Sequence, residues 1–162
     1  MEKQFVAFKI GESYYCIDIM EVQEVIREIT ITVMPNFPLF VEGVINLRGK
    51  IVPLLSIDKK LEAIDTMQES DITKKYINQT GPLKSIIIKV ETITIGLLVD
   101  ALDKILVAEE SQIQNAEGIG KFANDRMIGG ILQINNDIYT VLDPKFILEN
   151  EETQVLTKQL NP

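Results

Sequence analysis

The second half of this chain echoes the first, and that repeat constrains its folding more than any other feature. At an offset of 80, Tyr15, Ile17, Ile19, Val22, Val25 and Ile26 fall on Ile95, Leu97, Val99, Leu102, Ile105 and Leu106. At an offset of 87, Gly43, Val44, Ile45, Leu47, Ile51, Leu54 and Leu55 fall on Gly130, Ile131, Leu132, Ile134, Ile138, Val141 and Leu142. The slip from 80 to 87 lies in loop regions, where insertions are best tolerated. One pattern of apolar positions used twice predicts two lobes of like architecture, about five short strands each. Short strands lose their exposed edges most easily by curling into small barrels. A two-layer sandwich is the alternative.

Residue usage makes these lobes all-β. Ile occurs 25 times and Val 12, whereas Ala, the best helix former, occurs 6 times. Hairpins are expected around Gly11-Glu12-Ser13, Arg48-Gly49-Lys50, Glu91 and Asn135-Asn136-Asp137. Met34-Pro35-Asn36-Phe37-Pro38 carries two prolines and breaks the extended run from Val22 to Val33. The reading is therefore a single domain, 1–162, with subdomain 1 at about 5–60 and a polar linker at about 61–84. Subdomain 2 follows at about 85–143, and a C-terminal helix at about 144–158 is opened by Pro144.

Composition removes much familiar chemistry. There is no His and one Cys, so His-dependent triads, His- or Cys-rich metal sites and an intrachain disulfide are excluded. No metal or cofactor is expected. With 16 Lys and Arg against 24 Asp and Glu, 16 − 24 = −8, and with 6% aromatic residues, nucleic-acid binding is disfavoured. No signal peptide or apolar run of membrane-spanning length is visible, so a cytoplasmic protein without direct membrane insertion is expected. Cys16 reads as a small packed side chain. Gly43 to Lys50 resembles a phosphate-binding loop only superficially, because its glycines are wrongly spaced and Ile51 stands where a hydroxyl should bind magnesium. Asp18, Asp58, Asp100 and Asp143 flank apolar runs, where acids cap turns. A small β-barrel enzyme using such acids is the minor alternative.

Arg48 stands apart, a permanent charge set between two strongly apolar strands. If it is even half buried it needs a carboxylate, and Glu24, on the strand after the first hairpin, is the natural candidate; a solvated Arg at a hairpin tip is the alternative reading. An exposed pair contributes little, whereas orphaning a buried charged partner costs several kcal/mol. Arg48→Ala is accordingly expected to lower stability or partner binding. Val22, Val25 and Ile26 read as core or as the lining of an inter-lobe groove fit for an amphipathic helix.

These residues resemble a known family. Tyr15-Cys16-Ile17-Asp18-Ile19, Val22-Gln23-Glu24-Val25, Met34-Pro35 and Phe40 through Leu54, with Asn46-Leu47-Arg48-Gly49-Lys50 inside it, are similar to CheW, the bacterial chemotaxis coupling proteins. The likeness runs on through Ile95 to Asp100 and Gly130 to Asp143, and so spans Phe5 to about Leu148. It implies two five-stranded SH3-like barrels related by internal duplication, and no catalysis. It implies an adaptor that joins chemoreceptor cytoplasmic tips to the regulatory domain of the histidine kinase CheA, recruited to membrane-associated receptor arrays. Carried over by residue, its receptor contacts are Val22, Glu24, Gly43, Asn46 and Arg48, with Glu24 and Arg48 a charged pair. Kinase-contact residues are not assigned. With no kinase, receiver or phosphotransfer segment in the chain, a stand-alone coupling protein is expected; a receptor-kinase array with an output other than motility is the alternative.

Overall fold

A computed structural model describes residues 1–62, 83–115, 127–148 and 150–160. Most of the expected polar linker, and the interval from 116 to 126, lie outside the described residues. Within them run β1 (Glu2–Ile10), β2 (Ser13–Asp18), β3 (Val22–Ile29), β4 (Val41–Leu47), β5 (Lys50–Leu55), α1 (Ile57–Glu62) and β6 (Leu83–Val90). β7 (Ile93–Val99), β8 (Ala101–Glu109), β9 (Ile113–Gln114), β10 (Ile128–Ile134), β11 (Asp137–Leu142) and α2 (Asn150–Leu160) follow. The all-β reading with a short C-terminal helix holds. Pro144 opens a 3₁₀ turn capped by Asp143, and the helix proper begins later, at Asn150. Ile57 starts α1, where the Ser56 hydroxyl accepts the Lys59 N–H at 3.3 Å.

The duplication is visible in the register. β3 pairs antiparallel with β6, joining Val22 to Ile88 and Val25 to Ile86; β8 pairs with β1, joining Leu102 to Phe8 and Ile105 to Val6. These are the same couples displaced by 80. Likewise the parallel couple Leu54–Gly96 between β5 and β7 matches Val141–Cys16 between β11 and β2. Matching bulges fall at Val41/Gly43 and Ile128/Gly130.

The division into contiguous halves needs correction. One sheet runs β8-β1-β2-β11-β10-β9 and the other β3-β6-β7-β5-β4. Each repeat therefore lends its first hairpin to the other repeat's sheet. The sixth strand of the larger sheet is the two-residue β9, and its counterpart in the smaller is the single bridge Thr32–Val44. Both devices bring the two ends of a sheet together, which is how edges are removed.

The exchange also explains the core. On β1 and β2, Val6, Phe8, Ile10, Tyr15 and Ile17 face a central cluster, while Phe5, Ala7 and Cys16 face the interior of one barrel. On β6 and β7, Ile86, Ile88, Ile95 and Leu97 face the same central cluster, while Ile87 and Leu98 face the other barrel. Strands buried on both faces read as unbroken apolar runs, as Ile86-Ile87-Ile88 does. Shared packing thus fills the space between the lobes. Val22 and Val25 pack partly buried against this central core.

Candidate functional site

The backbone turn that presents Arg48 is strained. Leu47 pairs with Lys50, leaving Arg48 and Gly49 as a two-residue hairpin loop with φ of 51° and 85°. Two successive positive φ angles belong to the primed turns that match strand twist, and they favour Asn or Gly. A long side chain is disfavoured there. The corresponding residue of the second repeat, 48 + 87 = 135, is Asn135, with φ of 57°.

The side chain shows what that conformation achieves. Arg48 reaches Glu24 on β3 through both terminal nitrogens, Nη2 to Oε1 at 2.5 Å and Nη1 to Oε2 at 3.2 Å. This is the parallel two-bond geometry that suits guanidinium to carboxylate. The guanidinium end stays open, with the Arg48 side chain 72% exposed and that of Glu24 31%. The Arg48 hydrogen bonds hold the Glu24 carboxyl below the usual carboxylate range, and the same contact raises Arg48. The pair breaks the internal symmetry: the residues equivalent to Glu24 and Arg48 are Lys104 and Asn135.

The other expected contact residues lie on β3 and β4, the strands nearest the pair in sequence, and differ in exposure. Val22 begins β3 and is half-buried. Asn46 is exposed at the end of β4, and its Oδ1 accepts the Gly49 N–H at 2.8 Å. Gly43 is buried. A Cβ there would stand 2.4 Å from Ile31 Cγ2 and 2.6 Å from the Thr32 carbonyl oxygen, so its lack of a side chain admits the segment that closes the barrel. Gly130 serves the same purpose beneath Ile113 and Gln114, at 2.6 and 2.7 Å.

The four flanking acids do not converge. Asp18 accepts from the Met20 N–H, Asp100 from the Gly11 N–H and Asp143 from the Lys145 N–H, each holding a turn, while Asp58 lies in the first turn of α1. Cys16 is fully buried, and desolvation pushes its thiol up to about 12. Its equivalent is Gly96, where a Cβ would meet Leu54 at 2.5 Å and Ser85 at 2.6 Å. Small residues are needed at both places. Among the described residues no three His, Cys, Asp or Glu side chains cluster to hold a metal, and no helix is long and apolar enough to cross a membrane.

Sequence reading missed a second ion pair. Lys59 Nζ lies 2.8 Å from Glu42 Oε1, with both side chains buried. It fixes α1 against β4. The available signal was an acid inside the apolar run Phe40 to Ile45, since a carboxylate held there requires a cation. Lys60 adds a contact over the Phe40 ring at 4.4 Å and an ion pair to Glu152 that ties α2 to α1.

Fold and surface together define a class: a duplicated β-barrel protein whose repeats exchange hairpins around one core, with an exposed charged pair on one barrel. The chain belongs to the CheW-like domain family, whose model matches residues 4–152. It is 28% identical to a probable chemotaxis protein CheW of Rhizobium etli, over 94% of this chain and 92% of that one. It is 30% identical to the chemotaxis protein CheW of Helicobacter pylori, over 77% and 75%. The crystal structure of the scaffolding protein TtCheW from Thermoanaerobacter tengcongensis aligns with a TM-score of 0.75 at 27% identity, covering 94% of this chain and 91% of that one.

Proposed function

We propose that this chain is a non-enzymatic chemotaxis adaptor, coupling the cytoplasmic helical tips of chemoreceptors to the regulatory domain of the histidine kinase CheA. In this role it is recruited to receptor arrays at the membrane without entering it. The observation that carries the reading is the exposed two-bond Glu24–Arg48 pair, held by a strained turn in a member of this family and replaced by Lys104 and Asn135 in the sister barrel. A side chain kept in a disfavoured turn conformation and left open to solvent points to use by a partner. Receptor contact is assigned to Val22, Glu24 and Arg48, with Asn46 beside them. Gly43 contributes from beneath, by letting residues 31 and 32 lie close. The acids that hold turns, and the buried thiol, offer a partner scaffold rather than a reacting group.

The test is reconstitution of purified chain, CheA and receptor tips. A ternary complex on size exclusion with altered CheA autophosphorylation is expected. Failure to bind either partner overturns the reading.

A further inference from the structure

Asn46 sits three residues before Gly49, across the turn that carries Arg48. Its Oδ1 accepts the Gly49 N–H at 2.8 Å, and between them Arg48 holds φ at 51°. A left-handed conformation costs a branched or long residue energy that Asn or Gly does not incur. The sister turn meets the same demand by placing Asn135 at the equivalent position. Here an arginine occupies it, so something outside the residue must hold the turn. An Asn side chain bonded to the backbone a few residues on is the local device suited to this.

We infer that Asn46 is a positioning residue: its side-chain bond to Gly49 sets the turn that aims the Arg48 guanidinium at Glu24, and Asn46 acts on the partner through Arg48. The assignment rests on the proposed receptor site, but the geometry it concerns is internal to this chain. Two neighbours bear on the aim. A Cβ on Gly49 would meet nothing within 4 Å, so no neighbour packs against that side of the turn. The Glu24 backbone is held in its strand, where it pairs with Ile87, so the turn that carries Arg48 sets whether the two side chains meet.

The experiment reads the Glu24 carboxyl directly, by NMR pH titration of the folded chain, in the parent and in Asn46→Ala, Asn46→Ser and Arg48→Ala. Affinity for an isolated receptor-tip fragment is measured on the same samples. The parent Glu24 titrates low because of Arg48. Asn46→Ala is expected to move its midpoint upward, in the direction of Arg48→Ala, and to weaken fragment binding several-fold. Asn46→Ser keeps an oxygen acceptor and no charge, and is expected to fall between Asn46→Ala and the parent. An unmoved Glu24 midpoint in Asn46→Ala overturns the inference; if affinity nonetheless falls, Asn46 touches the partner itself. A raised midpoint with unchanged affinity upholds the positioning role and counts against the receptor site instead.

Discussion

Glu24 and Arg48 join the two ends of one sheet. Glu24 lies on β3 and Arg48 in the turn after β4, and these are the outermost strands of the order β3-β6-β7-β5-β4. The ion pair therefore spans the seam that the Thr32–Val44 bridge closes lower down. Its exposure decides its use. Solvent screens the attraction, so the pair is a poor source of stability and a ready surface for a charged or helical partner.

Arg48→Ala is therefore expected to leave the melting midpoint close to that of the parent. Affinity for receptor tips is expected to fall by about tenfold or more, on the scale of an interface arginine. Calorimetry and a binding titration measure the two arms. The sequence-based expectation allowed a loss of stability or of binding; the exposed geometry selects binding.

The pH dependence of the pair follows from the lowered Glu24 carboxyl. A carboxylate depressed in the folded state contributes above its unfolded value, near 4.3, and that contribution is lost as pH falls through the folded value. Receptor affinity is thus expected to be level across neutral pH and to weaken only in acid below that point. A loss of affinity centred near neutrality would require another titrating group.

Gly43→Ala and Gly130→Ala are both expected to destabilise, by about 1–3 kcal/mol each from the contacts alone, since both new methyl groups meet backbone oxygen and an isoleucine methyl at sub-contact distance, and Gly130→Ala the more, because its φ of 151° is one that side-chain-bearing residues rarely adopt. For a chain of this size that lowers the melting midpoint by about 2–4 °C per kcal/mol. Hydrogen exchange should show faster opening at residues 31–32 in the first variant and at 113–114 in the second. Equal exchange at both segments would contradict the closure role.

Lys59→Met leaves Glu42 buried without its cation and is expected to cost about 3–5 kcal/mol by chemical denaturation. The double variant Lys59→Met/Glu42→Leu should recover much of that loss, because apolar groups of similar volume avoid desolvating two charges. A double variant no more stable than the single would mean that the pair contributes net stability.

Cys16 is expected to resist thiol reagents at pH 8 in the native protein and to react fully in denaturant. Its raised folded value makes its contribution to stability complete below the unfolded thiol value near 8.5, and progressively lost as pH climbs towards about 12. Stoichiometric labelling of folded protein would show that the barrel interior opens readily.

Local chemistry made much of this protein legible from its residues. Hairpins at Gly11, Arg48-Gly49, Glu91 and Asn135 follow from residues that accept positive φ or from the apolar runs on either side. Twofold likeness follows from apolar positions repeated at 80 and 87. Glu24 could be named as the acid for Arg48 on the expectation of a half-buried arginine, and the pair forms although the Arg48 side chain stays exposed. Which hairpin joins which sheet was not legible. The exchange rests on parallel couples such as Val141–Cys16 and Leu54–Gly96, between residues far apart in the chain, and side chains buried on both faces carry no mark of their neighbour. Nor did spacing show that Gly43 lies beneath Ile31 and Thr32, that Glu42 meets Lys59, or that the Glu24–Arg48 pair is open to solvent. Sequence by itself determined the strands, the turns and the twofold plan, because those depend on neighbours along the chain. The partnering of hairpins and the exposure of the charged pair were decided only by tertiary packing, where close approach and access to water depend on distant segments.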